Sequence, residues 1–414
     1  MSQEEKTPRK KRTFKLLIMA GPALSLIIAI SFSSCRVFDS KGSFVGIDSL
    51  YGHHGYTNVF MMHGMGIKPK TDGFDYAMQT IATELEFNDK EPPTIYPIDG
   101  GARGNIKVQI FKKNGHDLRF FYIHWSPITL PFKTWLARVD SNSKRQFING
   151  ALKKLVVTEG FSDITSYADR EIRRDIHFLM AKALQLAHVE TSILMDQSQS
   201  LDQAIATVSY DTTHHHESLI MISGSFGSKI MNDVLKNMPL NENFDSDPAA
   251  LILAQNVLHH KVQWYVLSNQ LPLLDVFDFS RPLPIDTITT DSVLEANVRK
   301  LQVDSGTYGD ATRELLRMYD NESQHDWIKR YKLYIASRQT LICFNDPNDL
   351  LGYKVPKRTF QGESRGDSVV DVQLSNAKRY LIVSRPDKAH TEAVNNDRLL
   401  KLIARGCASA GKCK

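Results

Sequence analysis

The chain has 414 residues, 42% of them hydrophobic and 23% charged, with a formal charge of +5. That length supports one large domain with insertions or two modest ones, and the composition is globular rather than disordered or fibrous. Six basic residues, Lys6, Arg9, Lys10, Lys11, Arg12 and Lys15, crowd the first fifteen positions. The remainder is close to neutral, so net charge gives no ground for nucleic-acid binding.

The basic run leads into the apolar stretch Leu16–Ile30, interrupted only by small residues and Pro22, and closes at Ser33-Ser34-Cys35. A charged start, an apolar core and small residues at the end make a secretory signal. A cysteine directly after two serines resembles a bacterial lipobox, which implies that Cys35 carries lipid and becomes the mature N-terminus; Phe32 departs from the usual leucine. The stretch from Leu16 to Cys35 is also just long enough for an uncleaved membrane anchor, and simple secretion is the third reading. All three place the main domain outside the cytoplasm by the positive-inside rule. Residues 1–35 are therefore read as a signal, lipoprotein or anchor segment, 36–58 as a polar linker, and 59–414 as the main domain.

The main domain opens with a buried strand, Val59–Met62, that runs into a glycine turn at His63-Gly64-Met65-Gly66. Phe74–Leu85 has helical spacing. Ile106–Lys112 and Leu118–Trp125 read as two strands joined at Asn114-Gly115, a hairpin signal. Lys144 to Tyr210 is mostly helical in pattern. Ser218–Ile222 is a buried strand that turns at Ser223–Gly227 into a helix over Ser228–Asn237. Further strands are expected at Val262–Leu267, Thr340–Phe344 and Tyr380–Val383, with a last helix over Thr391–Arg405. Short buried strands alternating with helices predict an α/β fold with a mainly parallel sheet flanked by helices. Phe277 to Lys332 is too long for a plain connection and is read as a helical cap or lid insertion.

The chemistry centres on Ser223-Gly224-Ser225-Phe226-Gly227, between a strand and a helix. A nucleophile elbow needs that setting, because the serine hydroxyl must be exposed on a sharp, strained turn between small residues. Acyl transfer also needs two N–H donors for the oxyanion. Phe226, after the nucleophile, and Met65, in the early glycine turn, are the candidates. Asp346 and Asp349 follow the Cys343-Phe344 strand end, where a triad acid belongs. Asp349 is the first choice, and Asp346 the turn cap. His390, after both, is the candidate base, completing the order Ser, Asp, His.

The segments around His63, Ser225, Asp349 and His390 resemble the α/β-hydrolase superfamily, near its lipase- and esterase-like bacterial members. Ser225-Phe226-Gly227-Ser228 followed by Asp233, and Ser268-Asn269-Gln270-Leu271-Pro272-Leu273, add to that likeness. Where many lipase-like members carry histidine before the nucleophile, this chain has Gly224. The resemblance implies the α/β-hydrolase fold and hydrolysis of an ester, thioester or amide with no metal or organic cofactor. The expected substrate is a small-molecule or lipid ester, and the expected membrane contact is the N-terminal anchor. Two other readings stay open: a non-catalytic envelope binding protein that keeps the fold, and a peptidase or acyltransferase on the same triad.

The remaining clusters carry less. His214-His215-His216 cannot all face one metal from an extended segment, and His53-His54 and His259-His260 lack carboxylates at ligand spacing. No Cys-x-x-Cys pair supports structural zinc. Cys343 reads as a buried thiol, whereas Cys407 and Cys413 are either a small disulfide loop or free thiols. Trp125, Phe132 and Trp135 line an acyl pocket, touch a membrane or simply pack.

Overall fold

The computed structural model describes residues 38–40, 42–51, 55–66, 71–140, 153–208, 219–237, 261–272, 295, 298–299, 302, 310–355, 369–376, 379–380, 383–384 and 386–408. The expected signal or anchor segment with Cys35, most of the expected cap, the three histidine clusters and Cys413 lie outside these residues. Among the described residues, no helix is long and apolar enough to cross a membrane.

In chain order the strands are β1 (Phe38–Ser40), β2 (Phe44–Val45), β3 (Tyr56–Met62), β4 (Asp89–Lys90), β5 (Thr94–Pro97), β6 (Asn105–Lys113), β7 (His116–His124), β8 (Leu219–Gly224), β9 (Val262–Leu267), β10 (Gln339–Asn345) and β11 (Val369–Leu374). The large sheet runs β1-β11-β10-β9-β8-β3-β7-β6-β4, with β5 paired to β6. From β11 to β7 every neighbouring pair is parallel. Beyond that centre β1, β4, β5 and β6 pair antiparallel, so the sheet is mixed, and only its middle fits the mainly parallel expectation. The Asn114-Gly115 hairpin forms, both residues taking the left-handed backbone that its tight turn needs, with φ of 50° and 78°.

Apolar side chains cover both faces, which is why β9 is buried at every position instead of alternating. On one face the helices Arg170–Leu186, Phe226–Asn237 and Gln324–Ser337 contribute Leu179, Met180, Ile230 and Trp327 to a single core. On the other, Thr71–Glu84 and Asp397–Arg405 supply Phe74, Met78, Leu399 and Ile403.

Four expectations need correction. The last strand of the large sheet is Val369–Leu374; Tyr380 and Val383 instead belong to a separate two-stranded pair. The run Tyr380–Val383 is the more apolar, but Val369–Leu374 alternates because it lies beside the edge strand β1. The final helix is broken into Pro386–Thr391, a 3-10 turn and Asp397–Arg405, so His390 ends a short helix and does not begin a long one. The expected linker contributes β1 and β2, and its Ile47 is buried in the core. Finally, the described end of the expected cap packs as a layer helix: Trp327, Tyr331 and Ile335 on Gln324–Ser337 are buried against the sheet. An amphipathic helix between two strands of a sheet covers that sheet, since its apolar stripe has no other partner.

Candidate active site

Ser225 stands at the carboxyl end of β8, where the chain turns into the helix Phe226–Asn237. Its φ of 51° is rare for a residue with a side chain, and such strain persists only where surroundings over-determine it. They do so here. The Ser225 N–H donates to Leu267 O at 2.9 Å, tying the turn to β9. Behind it, Ser223 and Ser228 share a hydrogen bond of 2.8 Å across the turn, and the Trp264 indole donates to Ser223 Oγ at 2.7 Å. Serine in place of the usual first glycine thus gains a structural role.

Close approach requires glycine at two points. A Cβ on Gly64 would lie 2.6 Å from Ser225 Cβ, and one on Gly227 would lie 2.5 Å from His63 O. The glycine turn after β3 is therefore pressed against the elbow, and the loop that carries Met65 lies beside Ser225. Phe226 opens its helix, so its N–H has no intrahelical acceptor.

The three triad candidates, far apart in sequence, meet in one hydrogen-bonded chain. His390 Nε2 is 3.0 Å from Ser225 Oγ, and His390 Nδ1 is 2.8 Å from Asp349 Oδ2. A carboxylate accepts only, so the proton between them sits on Nδ1, leaving Nε2 as the acceptor that faces the serine hydroxyl. The Asp349 side chain is fully buried, whereas that of His390 is 15% exposed, so the carboxylate is shielded while the imidazole lines the cavity. Asp349 Oδ1 accepts from the Leu351 N–H at 2.9 Å. Asp346 points elsewhere: Oδ1 accepts from both N–H groups of Asn348, and Oδ2 from the Asn376 N–H at 2.6 Å. Asp346 thus staples the loop, and Asp349 addresses the histidine.

Sequence reasoning missed residues that fix the histidine in place. The Ser268 hydroxyl donates to His390 O at 2.7 Å, and Asn376 Nδ2 donates to Ala389 O at 3.0 Å. Ser268 has the same φ as Ser225, 51°, and its N–H is tied to Phe344 O, repeating one strand over the hook that holds Ser225. The segment that begins at Ser268 carries part of the family likeness, but nothing in it gives Ser268 this role, and no local signal marks Asn376.

His63 lines the same cavity as Ser225 and His390. Burial, then the neighbouring His124 imidazole, push its pKa down to about 3. Its Nδ1 donates to Gly64 O at 2.7 Å, and its ring stacks on Trp125 at 5.0 Å. Trp125 in turn donates to His63 O at 3.1 Å, so it supports the glycine turn. Trp135 is exposed and stacks on Phe132. A cavity of about 690 Å³ is lined by Ser225 and His390 together with Met65, Phe74, Tyr76 and Tyr122. Cys343 is free and buried, and Cys407 is disulfide-bonded.

Compared with family models, with curated proteins and with solved structures, the chain finds no match.

Proposed function

We propose that this chain is a serine hydrolase of the α/β-hydrolase superfamily that cleaves carboxylic esters through an acyl-enzyme. The observation that carries the reading is the Ser225–His390–Asp349 chain, with contacts of 3.0 and 2.8 Å on a strained strand-to-helix turn. As Ser225 Oγ attacks the ester carbonyl, His390 Nε2 takes the hydroxyl proton, and Asp349 stabilises the imidazolium that forms. The N–H groups of Met65 and Phe226 receive the charge developing on the carbonyl oxygen. His390 then returns the proton to the departing alcohol oxygen. Water, deprotonated by the same nitrogen, attacks the acyl-serine, releasing the acid and restoring the hydroxyl.

The intact Ser–His hydrogen bond favours this reading over a non-catalytic binding protein that keeps the fold, which has no need of it. The basic and apolar N-terminus ending at Cys35 supports a place in a bacterial envelope, with lipid on Cys35 holding the domain against the membrane outside the cytoplasm. Lipid or acylated envelope esters are the substrates within reach of a domain so held.

The test is labelling by a fluorophosphonate probe together with turnover of p-nitrophenyl esters, on the wild-type chain and on Ser225→Ala. Labelling should vanish in the variant, and turnover should fall roughly 10³-fold or more. Near-normal turnover by the pure, folded variant would falsify the proposal.

A further inference from the structure

Beneath the glycine turn lies a charged pair that the triad does not use. Lys133 Nζ and Asp163 Oδ1 meet at 2.6 Å, with side chains 1% and 0% exposed. Burying two charges is costly, and such a pair persists only when further hydrogen bonds satisfy both ends. Here those bonds converge on one residue of the turn. Asp163 Oδ2 accepts from the Gly66 N–H at 3.1 Å, and Lys133 Nζ donates to Gly66 O at 3.4 Å. The Thr129 hydroxyl completes the carboxylate, donating to Asp163 Oδ1 at 2.7 Å. Both backbone groups of Gly66 are thus held by one ion pair, supplied by two separate helices, Ser126–Asp140 and Ser162–Ala168.

We infer that Lys133 and Asp163 are positioning residues for the oxyanion hole: by clamping Gly66 they set the direction of the neighbouring Met65 N–H. This rests on the serine-hydrolase reading above. The physical reason is tolerance. An oxyanion donor works only within about 2.7–3.1 Å of where the charge develops, and a displacement of about 1 Å can cost about 10²-fold. Met65 packs against the core, but a side-chain contact leaves its own backbone N–H free to swing, and the glycines on either side offer no side chain to stop it. The other side of the turn is already fixed, since Gly64 abuts Ser225 and Trp125 braces His63. Gly66 lies at the other end of the turn, and the buried pair holds it there.

Removing one charge strands its buried partner, so the variants are made as neutral pairs: Lys133→Met with Asp163→Ala, and Lys133→Met with Asp163→Asn. The second keeps an amide oxygen able to accept from Gly66. Circular dichroism and thermal melting establish that each is folded. The substrates are p-nitrophenyl acetate and its thiono analogue, whose sulfur is a poor hydrogen-bond acceptor and gains little from an oxyanion hole.

In the Asp163→Ala pair, kcat for the acetate should fall about 10²-fold with KM within about threefold, because the lost interaction exists only in the transition state. The ester-to-thionoester rate ratio should shrink along with kcat, which mere loosening of the fold would not cause. The Asp163→Asn pair should recover part of both. If the Asp163→Ala pair does not fold, the Asp163→Asn pair carries the same test with a smaller expected loss. A folded variant lacking the clamp with wild-type kcat and ratio overturns the clamp alone. A wild-type chain that turns over neither substrate, or whose turnover survives Ser225→Ala, overturns the serine reading and the clamp with it.

Discussion

Exchanging either of two aspartates, three positions apart on one loop, for asparagine should damage different properties. In Asp349→Asn the amide oxygen can keep the Leu351 N–H bond, now 2.9 Å from Oδ1. The other end then presents an NH2 group to His390 Nδ1, where the carboxylate accepted at 2.8 Å. Two donors cannot face each other, so the imidazole moves its proton to Nε2 and can no longer accept from Ser225. The expected loss in turnover is about 10³-fold or more, with little change in stability because the buried side chain keeps its volume and one of its bonds. Asp346→Asn has the opposite profile. Its carboxylate accepts three hydrogen bonds, two from Asn348 and one from the Asn376 N–H. An amide can present only one oxygen, so at least one half-buried donor loses its acceptor, at about 1 kcal/mol. The assay is p-nitrophenyl ester turnover beside urea unfolding for both variants. An Asp346→Asn variant of normal stability that has lost activity, or an active Asp349→Asn variant, would refute the assignment.

Gly64→Ala should cost about 10²-fold in kcat and about 1–3 kcal/mol in stability, because its Cβ would lie 2.6 Å from Ser225 Cβ and 2.9 Å from Gly224 O; steady-state kinetics and thermal melting check both. Stability should fall on acidification. Below its ordinary pKa of 6.5 the unfolded chain protonates His63, whereas the folded chain, with that pKa lowered to about 3, does not. His124 and His177, lowered to about 4 chiefly by burial, add to the effect. The native state is thus favoured above pH 6.5 and loses on the order of a few kcal/mol as pH falls through the window down to about 3–4, which urea midpoints at pH 7, 6, 5 and 4.5 will show; a flat profile would count against these burials. Cys35→Ala should abolish lipid attachment at that position, read by mass spectrometry of the mature N-terminus, and an N-terminus still at Met1 in the native chain would favour the uncleaved anchor.

The parts of the candidate site that could be read in advance are those with a local cause. An apolar strand, a cluster of small residues and a helix are contiguous around Ser225, so the elbow declares itself. A glycine turn after an early strand does the same for the Met65 loop. The choice of Asp349 over Asp346 was open to reasoning because Pro347 lies between them and forces the two side chains apart. The last helix of the expected cap, Gln324–Ser337, departs from the expectation for the converse reason. A long polar and helical stretch between two strands has the same pattern whether it forms a lid or a layer, and only the burial of Trp327 and Tyr331 separates the two.

The amino-acid order by itself determined most of the elements and the inventory: strands buried on both sides, helices between them, and a serine, an aspartate and a histidine in that order along the chain. These follow from periodicity and turn chemistry, which act over a few residues. Tertiary structure alone decided the strand order, the antiparallel pairing of β1, β4 and β5, and the meeting of His390 with Ser225 and Asp349. It also decided that Ser268 and Asn376 would hold the histidine segment, and that Lys133 and Asp163 would converge on Gly66. Each of those contacts joins groups distant in sequence, and hydrogen-bond geometry carries no trace in the local pattern of the residues that make it.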